Sequence, residues 1–192
     1  MRSEPREPLG GIKRPLFLSP DHFPMMRITL PALLLATLSA CTEPERLVYQ
    51  SDPIPLVAAG PLFEGTNTAQ GEWTTGLEAF LKAQGHDLTQ LREARLTMAI
   101  LSGADSTGLS GIRNASIQWV GGDAGMQQVA VRNPLPPDSN AVALTVAADQ
   151  PKLADLLRTG TVTVVADLDL DADSDADRHV IGSFTLELTV AP

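Results

Sequence analysis

The chain contains a single cysteine, Cys41, and only three histidines. One thiol cannot form a disulfide within the chain, so the fold must be held together by its core alone. Nucleophilic catalysis needs a base beside the nucleophile, and only His86 and His179 follow Cys41. The sequence also lacks an H-E-x-x-H zinc motif, a phosphate-binding loop and a G-x-G-x-x-G segment. These absences favour a protein that is not an enzyme.

Cations are few, and this excludes two classes of partner. The full chain has a formal net charge of −9. Residues 1–40 hold five of the 14 Lys and Arg and three of the 23 Asp and Glu, so residues 41–192 carry nine cations against 20 anions. Nucleic acids and anionic lipid surfaces are bound by basic surfaces. We therefore expect no nucleic-acid partner and no adsorption to a membrane through charge.

No apolar run is long enough to cross a membrane as a helix. The run at residues 28–37 (ITLPALLLAT) is ten residues long, whereas a spanning helix needs about 20. Arg27 precedes this run and small residues follow it, an order that is typical of a secretory signal. We predict a signal peptide over residues 25–40. Residues 1–24 fit neither a signal nor a domain, and we expect them to be an upstream mis-start or an extension.

The run closes on Leu38-Ser39-Ala40-Cys41. This segment resembles the lipobox of bacterial lipoproteins, and the resemblance covers residues 25–41. It implies cleavage before Cys41, lipidation of the Cys41 thiol and acylation of the new amino terminus with chains such as palmitate. Multiple acyl chains anchor a protein stably, whereas one chain binds only marginally. The resemblance implies a cell-envelope location, and Thr42 in place of aspartate after the cysteine implies sorting to the outer membrane.

The remaining chain divides into a tether and one domain. Residues 41–60 contain Pro44, Pro53 and Pro55 with little periodicity, which predicts a tether between the lipid and the domain. Residues 61–192 have a length that suits a single domain, and we predict that they form one β-rich domain.

Two short helices are predicted within this domain. Thr75 and Glu78 have the spacing of a capping box, and Gly85 is placed to end the helix that they begin. Pro151 suits the first turn of a second helix, which Gly160 ends. The other segments alternate with a period of two, which predicts strands over residues 94–100, 112–120, 126–132, 141–147, 161–171 and 180–190.

The number and spacing of these strands set the predicted fold class. About six to seven strands with two short helices predict an antiparallel, Ig-like β-sandwich. The alternative is an α+β arrangement, in which an antiparallel sheet carries the helices on one face.

An acidic stretch at residues 162–177 is the most distinctive chemical feature of the domain. Even-numbered residues from Val162 to Leu170 are apolar, while aspartates occupy the opposite face of the same strand. We predict that this strand pairs with residues 180–190 as a long hairpin, with Ala166 opposite Phe184 and Asp171 opposite His179. Same-face aspartates lie about 6.8 Å apart and repel by roughly 0.6 kcal/mol in water. The aspartate row would then be a solvated face that discourages edge-to-edge association.

The predicted turn of this hairpin suggests an alternative, a calcium site. Its aspartates occupy alternate positions: Asp171, Asp173, Asp175 and Asp177. D-x-D-x-D resembles the start of an EF-hand loop, but Ala176 and Gly182 stand where that loop has its glycine and its bidentate glutamate. The four aspartates are therefore candidates for a weak calcium site that is not an EF-hand.

Three functions are consistent with these observations. The first is a cell-envelope lipoprotein, held on the membrane by its lipid, whose non-catalytic binding or structural domain has an envelope protein or a glycan as partner. The second is a calcium-dependent adhesion or surface-binding module that uses the acidic turn. The third is a hydrolase with paired carboxylates, although no such pair lies in an identifiable cleft. We expect Trp73, Trp119 and Tyr49 to be core and tether residues, because aromatics make up only 4% of the chain.

Overall fold

The computed structural model describes residues 43–192. The segments predicted as mis-start and signal peptide, and the predicted lipidation site Cys41, lie outside the described residues. The described part of the chain falls within one compact unit. None of its helices is both long and apolar enough to traverse a membrane.

The domain is built mainly from antiparallel strands. Two α-helices, α1 (Leu77–Ala83) and α2 (Leu153–Arg158), and two 3₁₀ turns, Leu88–Gln90 and Gly122–Ala124, lie between them. The nine strands are β1 (Glu45–Gln50), β2 (Ile54–Ala58), β3 (Gly65–Thr74), β4 (Leu91–Gly103), β5 (Ile112–Gly121), β6 (Gly125–Arg132), β7 (Ala141–Val146), β8 (Thr161–Leu170) and β9 (Arg178–Val190).

The sheet closes on itself. Its strands follow the order β1-β9-β2-β3-β8-β5-β6-β7-β4, and β4 also pairs with β9 along nearly its whole length. Eight strands therefore form a closed antiparallel barrel, and β1 lies on the same edge of β9 as β2. The predicted Ig-like sandwich is wrong, and so is the alternative of a sheet with helices on one face, because the β4–β9 pairing leaves no open sheet.

The predicted hairpin of residues 162–190 is also wrong, although its strands exist. β8 pairs with β3 and β5, whereas β9 pairs with β4, β1 and β2. Ala166 lies opposite Ala69 and Ile117 instead of Phe184. His179 lies opposite Val57 on β2 instead of opposite Asp171. The predicted alternation is confirmed, since the even-numbered residues of β8 are buried.

The predicted tether of residues 41–60 is largely part of the barrel. β1 covers one half of the edge of β9 and β2 covers the other half. Pro55 lies within β2, and its carbonyl oxygen approaches Gly71 of β3 so closely that a Cβ at Gly71 would sit 2.1 Å from it. The carbonyl and the nitrogen of a strand residue face the same side, so the nitrogen of Pro55 also faces β3. The missing N–H therefore weakens only the β2–β3 ladder, which has a single register pair.

The two helices mark one end of the barrel. α1 follows β3 and α2 precedes β8, and Thr74 and Thr161 are paired where those strands meet the helices. The predicted capping box does not form, because Gly76 is the N-cap and the Thr75 N–H donates to the Gly160 carbonyl at 3.0 Å, while the Glu78 carboxylate accepts a bond from Lys82 Nζ at 2.7 Å. β1 begins at this same end, since Glu45 and Leu91 both lie opposite Val190. We call this end the helix end.

The opposite end, which we call the loop end, consists of four loops, residues 59–64, 104–111, 133–140 and 171–177. Between the two ends the interior is filled by side chains. Trp119 is fully buried, with its ring 5.1 Å from that of Trp73 and 5.0 Å from that of Phe184. Tyr49 of β1 joins this cluster with its ring 5.1 Å from that of Phe80. The expectation that the tryptophans lie in the core is confirmed.

The role of β1 can be tested with two adjacent residues of that strand. Tyr49 is 8% exposed, donates a hydrogen bond to the Thr75 carbonyl and contacts the aromatic core, whereas Val48 is 65% exposed. We expect Tyr49→Ala to lower the free energy of unfolding by about 3–5 kcal/mol and Val48→Ala to change it by less than about 0.5 kcal/mol. Urea denaturation measures both. If the two variants are equally stable, β1 contributes no more than a tether would.

Candidate binding surface at the loop end

The first two aspartates of the acidic stretch are held on the outer face of the barrel. The Asp167 carboxylate accepts hydrogen bonds from Thr68 Oγ1 at 3.0 Å and from Gln118 Nε2 at 2.7 Å. These donors lie on β3 and β5, the strands on either side of β8. The interpretation of the row as an edge protector is wrong, because β8 is paired on both sides and has no free edge. Asp167 instead links three neighbouring strands.

Asp169 is held in the same way, with an arginine as one of its partners. It accepts bonds from Asn114 Nδ2 at 2.7 Å and from Arg113 Nη2 at 3.1 Å. Arg113 also donates to the carbonyl of Leu170 at 2.7 Å and lies 3.5 Å from Glu64 Oε1. Arg113 thus joins β5, the end of β8 and the loop of residues 59–64. Its side chain is 47% exposed, so this cation also faces solvent at the loop end.

The acidic turn binds a neighbouring loop through its carboxylates. Asp173 Oδ1 accepts the backbone N–H of Glu64 at 2.7 Å, and Asp177 Oδ1 accepts that of Gly60 at 2.9 Å. Between them, the backbone of Ser174 exchanges two hydrogen bonds with that of Leu62, at 2.8 and 2.9 Å. Two of the four predicted calcium ligands therefore bind backbone amides of the loop at residues 59–64.

Gly60 is required at this junction by close packing. A Cβ placed on Gly60 would lie 2.7 Å from the carbonyl oxygen of Asp175, a distance that no side chain tolerates without a backbone shift. The close approach brings the loop at residues 59–64 and the acidic turn together along their backbones. The side chain of Asp175 itself is exposed at the tip of the turn.

The remaining predicted ligand, Asp171, lies at a different place. Its carboxylate lies beside Gly111, 3.2 Å from the position that a Cβ there would occupy, and Arg178 Nη2 is 3.6 Å from the same point. Asp171 therefore faces the loop of residues 104–111, whereas Asp173 and Asp177 face the loop of residues 59–64. Among residues 43–192, no three His, Cys, Asp or Glu side chains come close enough together to hold a metal ion.

A groove opens between two of the four loops. It has a volume of about 530 Å³ and lies between residues 109–114 and residues 133–138, with Asp171 at one side. Its walls are joined by backbone hydrogen bonds, from Leu135 N to the Arg113 carbonyl at 2.8 Å and from Asp171 N to the Gly111 carbonyl at 3.0 Å. These bonds tie the walls of the groove to each other through the main chain.

The loop of residues 104–111 is stabilised by a small charged cluster. Asp105 accepts hydrogen bonds from the hydroxyl and the backbone N–H of Thr107, and these hold the pKa of Asp105 below its usual value. Arg178 and His179 lower that pKa further through their charge. Arg178 also donates to Thr107 Oγ1 at 2.9 Å. Asp105 therefore stays ionised and contributes to the negative charge of the loop end.

One large apolar side chain is presented among these charges. Phe63 is 64% exposed, in the loop that the acidic turn binds. Its backbone is fixed by one side chain, because Asn67 Oδ1 accepts from Phe63 N at 3.2 Å and Asn67 Nδ2 donates to the Phe63 carbonyl at 2.7 Å. An exposed aromatic residue on an ordered backbone is typical of an interface anchor.

Sequence reasoning located the acidic turn but missed its partners. Arg113, Phe63 and Asn67 have no motif around them, and their roles depend on strands that are distant in the sequence. Only the offset of four between Phe63 and Asn67 is a local signal, since an asparagine side chain can bond nearby backbone groups. Comparison with known proteins adds no candidate, because no protein-family model and no curated protein matches this chain.

The structural role of the acidic turn predicts a specific pattern of mutational effects. Asp173→Ala and Asp177→Ala each remove a charged acceptor from a backbone amide, and we expect each to lower stability by about 1 kcal/mol. Amide exchange should become faster at Glu64 in the first variant and at Gly60 in the second. Asp175→Ala is the matched control and should change neither stability nor exchange.

The same variants distinguish this role from calcium binding. A ligand that binds only the folded state raises the melting temperature. We expect millimolar calcium to leave the melting temperature of the wild-type protein unchanged. A calcium-dependent rise that Asp173→Ala, Asp175→Ala and Asp177→Ala all abolish would instead establish the calcium site.

Proposed function

We propose that this protein is a cell-envelope lipoprotein, anchored through Cys41, whose barrel is a non-catalytic binding module. The lipobox-like segment Leu38-Ser39-Ala40-Cys41 carries the proposal. The proposed location is the outer membrane, from the resemblance to lipoproteins in which the cysteine is not followed by aspartate.

The position of the first strand supports this arrangement. Three residues separate Cys41 from Glu45, where β1 begins at the helix end. Four Cα–Cα steps span at most about 14 Å, so a lipid on Cys41 would hold the helix end close to the bilayer. The loop end lies at the opposite end of the strands and would face away from the membrane.

The filled interior supports an external binding surface. A barrel that carries a ligand inside needs a cavity, whereas here Trp73, Trp119 and Phe184 occupy the space between the strands. Ordered polar and apolar groups instead converge at the loop end. The groove, whose walls are joined by main-chain hydrogen bonds, and the exposed ring of Phe63 both lie at this end.

Charge defines the kind of partner that we propose. Three arginines, Arg113, Arg132 and Arg178, are outnumbered at the loop end by carboxylates. These carboxylates are Glu64, Asp105, Asp138, Asp171, Asp173, Asp175 and Asp177. Complementary potentials select partners and speed their association. We propose that the partner is an envelope protein with a basic surface and an apolar pocket for Phe63.

The anchor is tested by replacing its thiol. In a bacterial host, we expect Cys41→Ser to abolish incorporation of radiolabelled palmitate and to move the protein from the membrane to the soluble fraction. Ser39→Thr is the control, because it changes a residue near the anchor and keeps the thiol of Cys41. A Cys41→Ser protein that still fractionates with membranes and still carries palmitate would contradict the proposed anchor.

The binding surface is tested by site-specific photo-crosslinking in intact cells. A photoreactive phenylalanine analogue replaces Phe63 at the loop end or Val48 on the side of β1, two positions with nearly equal exposure. We expect a discrete crosslinked protein with a basic surface from position 63 and none from position 48. Equal crosslinking from both positions, or none from either, would contradict the loop end as the binding surface.

A further inference from the structure

One strand edge at the helix end is not covered by its neighbour. β4 is 13 residues long and β7 is six, and the two pair only between residues 99–102 and 141–144. Within the described part of the chain, residues 91–98 of β4 have no partner strand on this side. An uncovered strand edge offers unpaired backbone groups to another chain.

The direction of the free backbone groups follows from the hydrogen bonds of Leu96. Its N–H and carbonyl both bond to the side chain of Gln150, at 2.7 and 3.4 Å, so its main chain faces away from β9. The register with β9 is regular from Glu93 to Leu96. Alternate residues of an antiparallel strand direct their main chain to the same side. The N–H and carbonyl of Ala94 therefore also face the uncovered edge.

Gln150 already occupies part of this edge as a peptide would. Its primary amide supplies the acceptor and the donor that a neighbouring strand would present to Leu96. It also donates to the carbonyl of Ala147 at 2.6 Å, which fixes its position. Ala94, the next residue whose main chain faces this edge, forms no hydrogen bond with a loop or a side chain of the described residues.

A groove follows this edge. It has a volume of about 360 Å³ and is lined by residues 92–95 of β4 on one side. The opposite wall is formed by Ala148, Gln150, Pro151 and Ala154. An added strand would lie between these walls, with its backbone beside Ala94 and its first amide next to Gln150.

The charges around the groove indicate the chemistry of its occupant. Arg92 and Arg95 line it and Lys152 follows Pro151, and none of the three forms an ion pair within the described residues. Glu93 is the one carboxylate among the lining residues, while Asp149 and Asp155 stand beside lining residues on the opposite wall, where Asp155 is paired with Arg158. This local cationic excess stands out in a domain with 20 anions and nine cations. A second copy of the barrel is a poor occupant of this groove. In that copy, the wall that contains Pro151 lies beside the edge of β4 and would hinder pairing between the two edges.

We propose that the uncovered edge of β4 at Ala94, next to the Gln150 side chain that covers Leu96, binds an extended, acidic peptide segment of another protein by strand addition. Main-chain hydrogen bonds would supply affinity and the cations would select acidic side chains. This site is separate from the loop end, and it does not depend on lipidation of Cys41.

The test uses defined peptides and the purified domain. The probe is a fluorescein-labelled peptide of about eight residues in which Glu and Val alternate. A Lys and Val peptide and a Glu and Val peptide N-methylated at its four central amides are the controls. We expect saturable binding of the first peptide, about tenfold weaker binding of the lysine peptide and loss of binding on N-methylation. Amide exchange at Ala94 should slow in the complex.

Matched variants identify the edge on the protein. Arg92→Glu with Arg95→Glu should weaken binding of the Glu and Val peptide about tenfold or more while the domain keeps its melting temperature. Arg132→Glu, which changes a cation at the far end of β6, is the control and should leave binding intact. All three substitutions are at partly or fully exposed side chains, so we expect both variants to fold.

Four results would overturn the proposal. These are no saturable binding up to about 1 mM peptide, equal binding of the N-methylated peptide, unchanged exchange at Ala94, or unchanged affinity in the Arg92 and Arg95 double variant. Sedimentation that shows a dimer sensitive to the same double variant would assign the edge to a second copy instead.

Discussion

The pairing of β4 with β9 is the constraint on which the rest of the structure depends. It runs from Leu91 opposite Val190 to Gly103 opposite Val180, and it turns a long antiparallel sheet into a closed ring. Closure gives every strand one inward face, so the alternating apolar residues of each strand meet in a common core. A sheet without this pairing would expose two long edges and leave its core open on one side.

Local pattern predicted the strands well but could not predict their partners. The even-numbered residues of β8 and β9 do face inward, because alternation is a property of a single strand. Whether those strands pair with each other depends on what lies between them in space, and here β2 and β3 are inserted. Both come from residues that precede β8 by more than 85 positions. Adjacent segments often pair, and the predicted hairpin rested on that tendency alone.

The incorrect prediction of a tether at residues 41–60 has a more specific physical origin. Pro44, Pro53 and Pro55 reduce the number of backbone donors, which normally indicates an irregular segment. In this barrel Pro53 lies between β1 and β2, where the chain moves from one half of the edge of β9 to the other. Pro55 turns its carbonyl toward Gly71, so its missing donor falls where the β2–β3 ladder is already incomplete. Pro53 and Pro55 are thus tolerated because each occupies a site where no donor is needed.

The aspartates of the acidic stretch have different structural roles, which depend on whether they lie on a paired strand or in the turn that follows it. Asp167 and Asp169 lie on paired strands, and their charge is used to join neighbouring strands through Gln118, Asn114 and Arg113. Asp173 and Asp177 lie beyond the strands and bind backbone amides of another loop. These bonds order the loop that carries Phe63, so a partner would meet a surface whose conformational entropy has already been lost on folding. Preorganisation of this kind lowers the entropic cost of association, and the proposed binding surface at the loop end would benefit from it.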